Sequence, residues 1–228
     1  MASESTHAGP SRGAVTRRTV LAGAGGLAAA GATPSAAQAA LLHRIGEPSD
    51  GTAAAEVIGR LDQVGDAITG YGYLTRIHGL PEAALFRGSQ RTEASARFTF
   101  ASTVNVTARF ILGALVSVDG TGSVTFYLDS GGGDFSHPHT FSDGTAIAKF
   151  AGHFHNVLTV IAPNQGISTI EGELQQRSAR TFSLDGRRAR FGHRGLRLHL
   201  SVIGPSARTA PSPPSAFFDV AGDLFIRR

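Results

Sequence analysis

Two His-x-His pairs, His137-Pro138-His139 and His153-Phe154-His155, are the first residues of this chain whose types and spacing could do chemistry. On a β-strand, residues i and i+2 point the same way, so His153 and His155 would share a face and could offer two neutral imidazoles to one divalent metal. His43, His78, His193 and His199 are scattered, no Asp or Glu sits at ligand spacing, and HExxH is absent. An ordinary solvent-facing strand, shared with Lys149 and Thr159, is the competing reading of the pair. Glu171 and Glu173 are also two apart and could do general acid–base work if a pocket shifted one of them; beside Thr169 and Gln175 they equally suit an exposed polar face. Gly166-Ile167-Ser168-Thr169-Ile170 begins like a GxSxG nucleophile elbow but ends in Ile, without the strand–turn–helix setting. Asp129 and Asp134 flank three glycines without the six or more oxygens a calcium site wants. No cofactor is expected, a His-bound metal at His153 and His155 aside.

Composition narrows the classes further. The chain of 228 residues has no cysteine, which excludes disulfides, thiolate zinc sites, iron–sulfur clusters and a lipoprotein anchor. Its 21 basic residues include one Lys, Lys149. No basic helix or aromatic-interleaved basic run appears, so no nucleic-acid partner is expected. The clustered Arg187, Arg188 and Arg190 read as a turn between strands.

The stretch "TRRTVLAGAGGLAAAGATPSAAQAALL", residues 16–42, reads as an export signal rather than an anchor. It is too short and too rich in Ala and Gly to span a bilayer, and no strand precedes Gly23, Gly25 and Gly26 to make them a phosphate loop. Arg12, Arg17 and Arg18 form a basic n-region, a mild apolar run follows, and Ala37-Gln38-Ala39 offers a small-x-small cleavage site before Ala40. Thr16-Arg17-Arg18-Thr19-Val20-Leu21 resembles the core of twin-arginine signals. That resemblance implies the twin-arginine export machinery as a partner, membrane contact only during export, and a protein that is secreted or held in the cell envelope. Cleavage after Ala39 would leave 18 basic residues against 16 acidic ones, a formal charge of +2, because Arg12, Arg17, Arg18 and Glu4 depart.

Beyond the signal, residues 40–70 read as a leader and one amphipathic helix, and 71–228 as a β domain. The helix is expected over Thr52 to Ile68, with Val57, Leu61, Val64 and Ile68 in a stripe, Thr52 as N-cap and Glu56 to Arg60 as an i,i+4 pair. Gly59 and Gly65 each weaken it by up to ~1 kcal/mol.

From Tyr71 onward the period is two. Tyr71, Tyr73, Thr75 and Ile77 alternate; then Phe98, Phe100, Val104 and Val106 share a face. Phe110 to Val118, apolar on both faces, reads as a central strand, and Asp119-Gly120-Thr121-Gly122 as a hairpin turn. Val124, Phe126 and Leu128 alternate next. The segment Asp129 to Gly144 reads as a lid or plain loop. Phe150, Phe154, Leu158 and Val160, then Ile170 and Leu174, then Leu196 to Val202 follow, with Asp185-Gly186 as a hairpin and two last segments, Phe217 to Val220 and Leu224 to Ile226. About eight strands joined by short turns predict a mainly β fold. An antiparallel closed barrel is preferred to the alternative, a sandwich, because closure removes exposed edges and eight strands can enclose side chains or one small ligand.

"APNQGISTIEGELQQ", Ala162 to Gln176, resembles the Gly-rich strand opening of allene-oxide-cyclase and dirigent-type barrels, with Gly166 and Gly172 as the shared points. The resemblance implies a barrel whose apolar interior binds a lipid-like or phenolic molecule and sometimes steers its cyclisation or coupling. Three functions follow as expectations. The first is a barrel that binds a small apolar molecule among Phe98, Phe100, Phe126, Phe150 and Phe154 without transforming it. The second is a cyclase or isomerase using Glu171, Glu173 and Asn164. The third is an envelope module with a filled interior.

Overall fold

The computed structural model describes residues 42–227. The expected signal and its cleavage site at Ala39-Ala40 lie outside the described residues. Eleven strands form: β1 His43–Ile45, β2 Ala53–Val64, β3 Ala67–Ile77, β4 Phe98–Leu112, β5 Leu115–Leu128, β6 Thr145–Ala162, β7 Gln165–Ala179, β8 Thr181–Leu184, β9 Arg187–Phe191, β10 Arg197–Ala210 and β11 Ser215–Arg227. Eight of them close into one barrel in the order β10-β11-β2-β3-β4-β5-β6-β7. Every neighbouring pair is antiparallel, and β7 closes onto β10 through Arg197↔Gln175 to Ala207↔Gln165. The mainly β, closed antiparallel barrel of eight strands stands as expected.

The sequence writes this fold as alternation. In β7 the residues Gly166, Ser168, Ile170, Gly172, Leu174 and Gln176 are buried, and the residues between them are not. That is the period of a strand with one face inside and one outside. The meander is interrupted once, between β7 and β10, where β8 and β9 make a hairpin that pairs with β1 as a three-stranded sheet. Its turn is the expected Asp185-Gly186, both at positive φ (49° and 77°).

The expected helix over Thr52 to Ile68 is not formed. Those residues are β2, a turn at Gly65-Asp66, and the start of β3. The barrel therefore begins at Ala53 rather than Tyr71. Three physical signals outweigh the helical stripe. Gly65 adopts φ 61°, the first position of a two-residue hairpin between Val64 and Ala67. Gly59 faces β3 so closely that a Cβ there would stand 2.5 Å from the Tyr71 carbonyl oxygen. Glu56 reaches across the sheet to Arg76 at 2.7 Å instead of along a helix to Arg60. Arg60 turns to Asp62 at 2.9 Å and lies 4.3 Å above the ring of Phe217.

Three smaller expectations also change. Phe110 to Val118 is not one central strand: Gly113 takes φ 58° and folds it into the β4–β5 hairpin. Gly120 and Gly122 lie within β5 rather than at a turn. The last two apolar segments are a single strand, β11.

The two ends of the barrel differ because the connections differ. One end carries the tight hairpins β2–β3, β4–β5, β6–β7 and β10–β11. The other carries the long connections 78–97, 129–144 and 180–196, and its core is dense: Phe98, Phe126, Phe150, Phe191, Ile45, Leu74, Ile77 and Leu198 are all fully buried.

Candidate functional site

The lumen is the site that the strand parity builds. Its deep part is closed by β9, whose Phe191 stands edge-on to Phe126 and Phe150 with ring centroids 5.1 and 6.2 Å apart. The floor is pinned by Gln176, which donates from Nε2 to the Phe191 carbonyl at 2.9 Å. Above the floor lies a narrow cavity of about 90 Å³, walled by Phe100, Phe126, Phe154, Phe218, Leu61 and Val104 among others. No charged side chain lines it. Toward the hairpin end it adjoins a wider pocket of about 350 Å³, and Val118, Asn156 and Phe218 line both.

Asn156 marks the neck between them. Its Oδ1 is buried and accepts no hydrogen bond, so it is an acceptor held ready beside an apolar wall; such groups are rare because each costs free energy. Ser168 Oγ, lumenal on β7, is likewise unpartnered. The mouth above is collared by polar groups: Gln63, Arg109, Asn164, Gln165, Ser206 and Arg208. Arg109 faces inward because of a bulge. The β4–β5 register shifts between Val106 and Ala108, so Arg109 and Ile111 pair with the inward-facing Val118 and Val116.

The residues singled out from sequence divide by location. Phe100, Phe126 and Phe154 line the cavity, whereas Phe98 and Phe150 pack in the floor against Phe182 and Phe191. Glu171 and Glu173 point away from the lumen, on the outer wall. Asn164 sits in the β6–β7 turn at φ 62°, a left-handed position Asn tolerates, and it borders the mouth.

On that outer wall the histidines and carboxylates form a ladder. Across β5, β6, β7 and β10 the register places Asp119 opposite His155 and then Glu171, and His153 opposite Glu173 and then His199. His153 and His155 do share a face. His155 Nδ1 bonds Asp119 at 2.7 Å, and His199 Nδ1 bonds Glu173 at 2.8 Å. The Glu171 Oε2 atom approaches His199 Nε2 at 2.6 Å, outside hydrogen-bonding directions, while its Oε1 accepts from Ser201 at 2.9 Å. Among the described residues no three His, Asp or Glu donors converge on one point as a metal would need.

The 129–144 segment lies along the barrel wall instead of over the mouth. Phe141 is fully buried, its ring centroid 5.5 Å from that of Tyr71, and its carbonyl accepts from Thr99 at 2.6 Å. Asp134, whose Oδ2 meets His137 Nδ1 at 2.7 Å, ties the segment together. That contact and the Ser136 amide hold its carboxyl below the usual range. Tyr71, on the wall beneath, is pushed up to about 12, first by burial and then by its 2.5 Å hydrogen bond to Asp62.

Sequence reasoning missed Arg109, Asn156, Phe191 and Phe218. Strand parity could have found Asn156, two residues on from Phe154, and Phe218, two before Val220. A bulge hid Arg109, and a distant hairpin supplied Phe191. No family model matches the chain, and neither a curated protein nor a solved structure matches it.

Proposed function

We propose that the chain is an exported barrel that binds a small apolar molecule in the neck and mouth of its lumen without transforming it. The observation that carries the reading is the composition of the tube. Its deep part is apolar and uncharged, it leads to the unpartnered Oδ1 of Asn156, and it opens to a pocket of about 350 Å³. Small-molecule sites are mostly apolar hollows of ~300–1,000 Å³ with a few polar groups that fix orientation. A ligand with an apolar body and one hydroxyl or amine donor suits Asn156. Export rests on the signal-like residues 16–42, with Arg17 and Arg18, and so does a secreted or envelope location.

The cyclase reading needs an acid or base beside the substrate. Glu171 and Glu173 lie outside the lumen, and the polar collar of the mouth, Asn164, Arg109 and Arg208 included, has no carboxylate or histidine among its lining residues. A packed structural barrel is favoured by one observation, the deep lumen of only about 90 Å³. Native mass spectrometry of the exported protein separates the readings. A retained organic molecule, released by Asn156→Leu, supports binding; a clean protein mass from every source supports the packed barrel.

A further inference from the structure

The large exposed apolar side chains are unevenly placed. Phe110 is 64 % exposed, Ile111 71 %, Leu112 79 %, Ile161 63 % and Val64 59 %, and these stand on the hairpins of the open end, whereas Ile203 and Ile58 are exposed singly on the outer wall. The barrel is also uneven in height there. β4 pairs with β3 only as far as Asn105, so Thr107 to Leu112 run on past that neighbour, and β6 continues to Ala162. The β4–β5 and β6–β7 tips thus project with their apolar side chains bare, beside the mouth of the lumen. Folded proteins seldom leave such a group exposed without a partner for it.

Charge identifies the partner. Near the four hairpin ends the charged residues are Arg109, Arg208, Asp66 and Asp62, and Asp62 is already paired with Arg60 at 2.9 Å. Arg109 lies 3.5 Å from Asp66. Arg208 donates to the Ala210 and Pro211 carbonyls and meets no carboxylate among the described residues. A second copy docked rim to rim would oppose two rims that each carry the same excess of arginine over carboxylate. A surface of anionic headgroups over acyl chains complements both features at once, with cations for the phosphates and bare Phe, Ile and Leu for the hydrocarbon boundary. No helix among the described residues is long and apolar enough to cross a membrane, and none is needed to rest on one.

We propose that the open rim docks on an anionic lipid surface, with Phe110, Ile111, Leu112 and Ile161 at the interface and Arg109 and Arg208 at the headgroups. The mouth then faces the bilayer, and an apolar molecule passes between membrane and lumen without crossing water. This last step rests on the lumen-binding reading; the docking does not.

The chain has no Trp, so single tryptophans report position. The full-length protein carrying Leu112→Trp, and separately Arg188→Trp at the closed end, is mixed with vesicles of phosphatidylcholine and phosphatidylglycerol (7:3) and with pure phosphatidylcholine. A blue shift at Trp in position 112, quenched by brominated chains and absent at position 188, supports docking. In the same full-length background, Leu112→Asp with Ile161→Asp lowers vesicle binding at least tenfold, and Arg208→Ala lowers it about fivefold on the anionic vesicles alone. Equal responses at both tryptophans, or binding untouched by the rim substitutions, overturns the proposal. So does a concentration-dependent blue shift without vesicles, which would mean that a second copy covers the rim. Uptake of the apolar dye N-phenyl-1-naphthylamine, measured without vesicles, reads the lumen separately: its loss with vesicle binding intact refutes the ligand reading and leaves the docking standing.

Discussion

Phe191 stands edge to face on Phe126 at 5.1 Å and 86°, although one belongs to a peripheral hairpin and the other to the barrel wall. The contact converts a through-tube into a cup. A hairpin inserted between β7 and β10 thus decides at which end the lumen opens. Replacing Phe191 by Ala should cost ~3–5 kcal/mol, the range for losing a buried aromatic ring. Chemical denaturation measures it. A cost below ~1 kcal/mol would show that the floor is not held by this ring.

Gly59 distinguishes strand from helix by sign. In a helix, Gly59→Ala would stabilise by up to ~1 kcal/mol. In β2 the added Cβ would meet the Tyr71 carbonyl oxygen at 2.5 Å, and overpacking of this kind costs ~1–3 kcal/mol. A lowered thermal midpoint is therefore expected, and a raised one would contradict the strand.

Tyr71 gives an alkaline signature. Its folded value of about 12 exceeds the ordinary 10.0, so the folded state keeps the phenolic proton after the unfolded chain has lost it. The associated stability is complete below pH 10 and falls as the pH rises from about 10 through about 12. Spectroscopic titration should show late tyrosinate ionisation, to which Tyr73, also raised by burial, contributes; the part due to Tyr71 disappears in Tyr71→Phe and moves to lower pH in Asp62→Asn, since the carboxylate disfavours the phenolate.

The outer ladder predicts little. His199 is already engaged by Glu173 and approached by Glu171, and partly exposed pairs contribute ~0–1 kcal/mol. His199→Gln should change stability by less than ~1 kcal/mol, and equimolar zinc should leave the thermal midpoint unmoved. A zinc-dependent rise of several degrees, lost in His153→Ala with His155→Ala, would reinstate a metal on this face.

Legibility followed period and failed at junctions. The alternation of Phe98 to Val106 and of Leu196 to Val202 could be read directly, and with it the barrel, because burial on one face of a strand needs a two-residue repeat. The region from Thr52 to Ile68 misleads because Val57, Leu61, Val64 and Ile68 satisfy a helical stripe by coincidence. The discriminating residues there were Gly59, needed for close strand approach, and Gly65-Asp66, a hairpin turn between apolar neighbours. Phe110 to Val118 misleads for a related reason. An apolar run looks central when it is a projecting tip, and sequence carries no record of how tall the adjacent strand is. His153 and His155 were correctly placed on one face. Which wall they faced depended on the parity of the whole barrel, which places Glu171 and Glu173 outside with them.

The most direct measurement titrates N-phenyl-1-naphthylamine into the protein and into Val118→Phe, which puts a ring at the neck shared by cavity and mouth. Saturable uptake at one site, lost in Val118→Phe while the β-sheet circular dichroism is unchanged, is the predicted result. No uptake by the unaltered protein, or equal uptake by both, would contradict a lumen that receives a ligand.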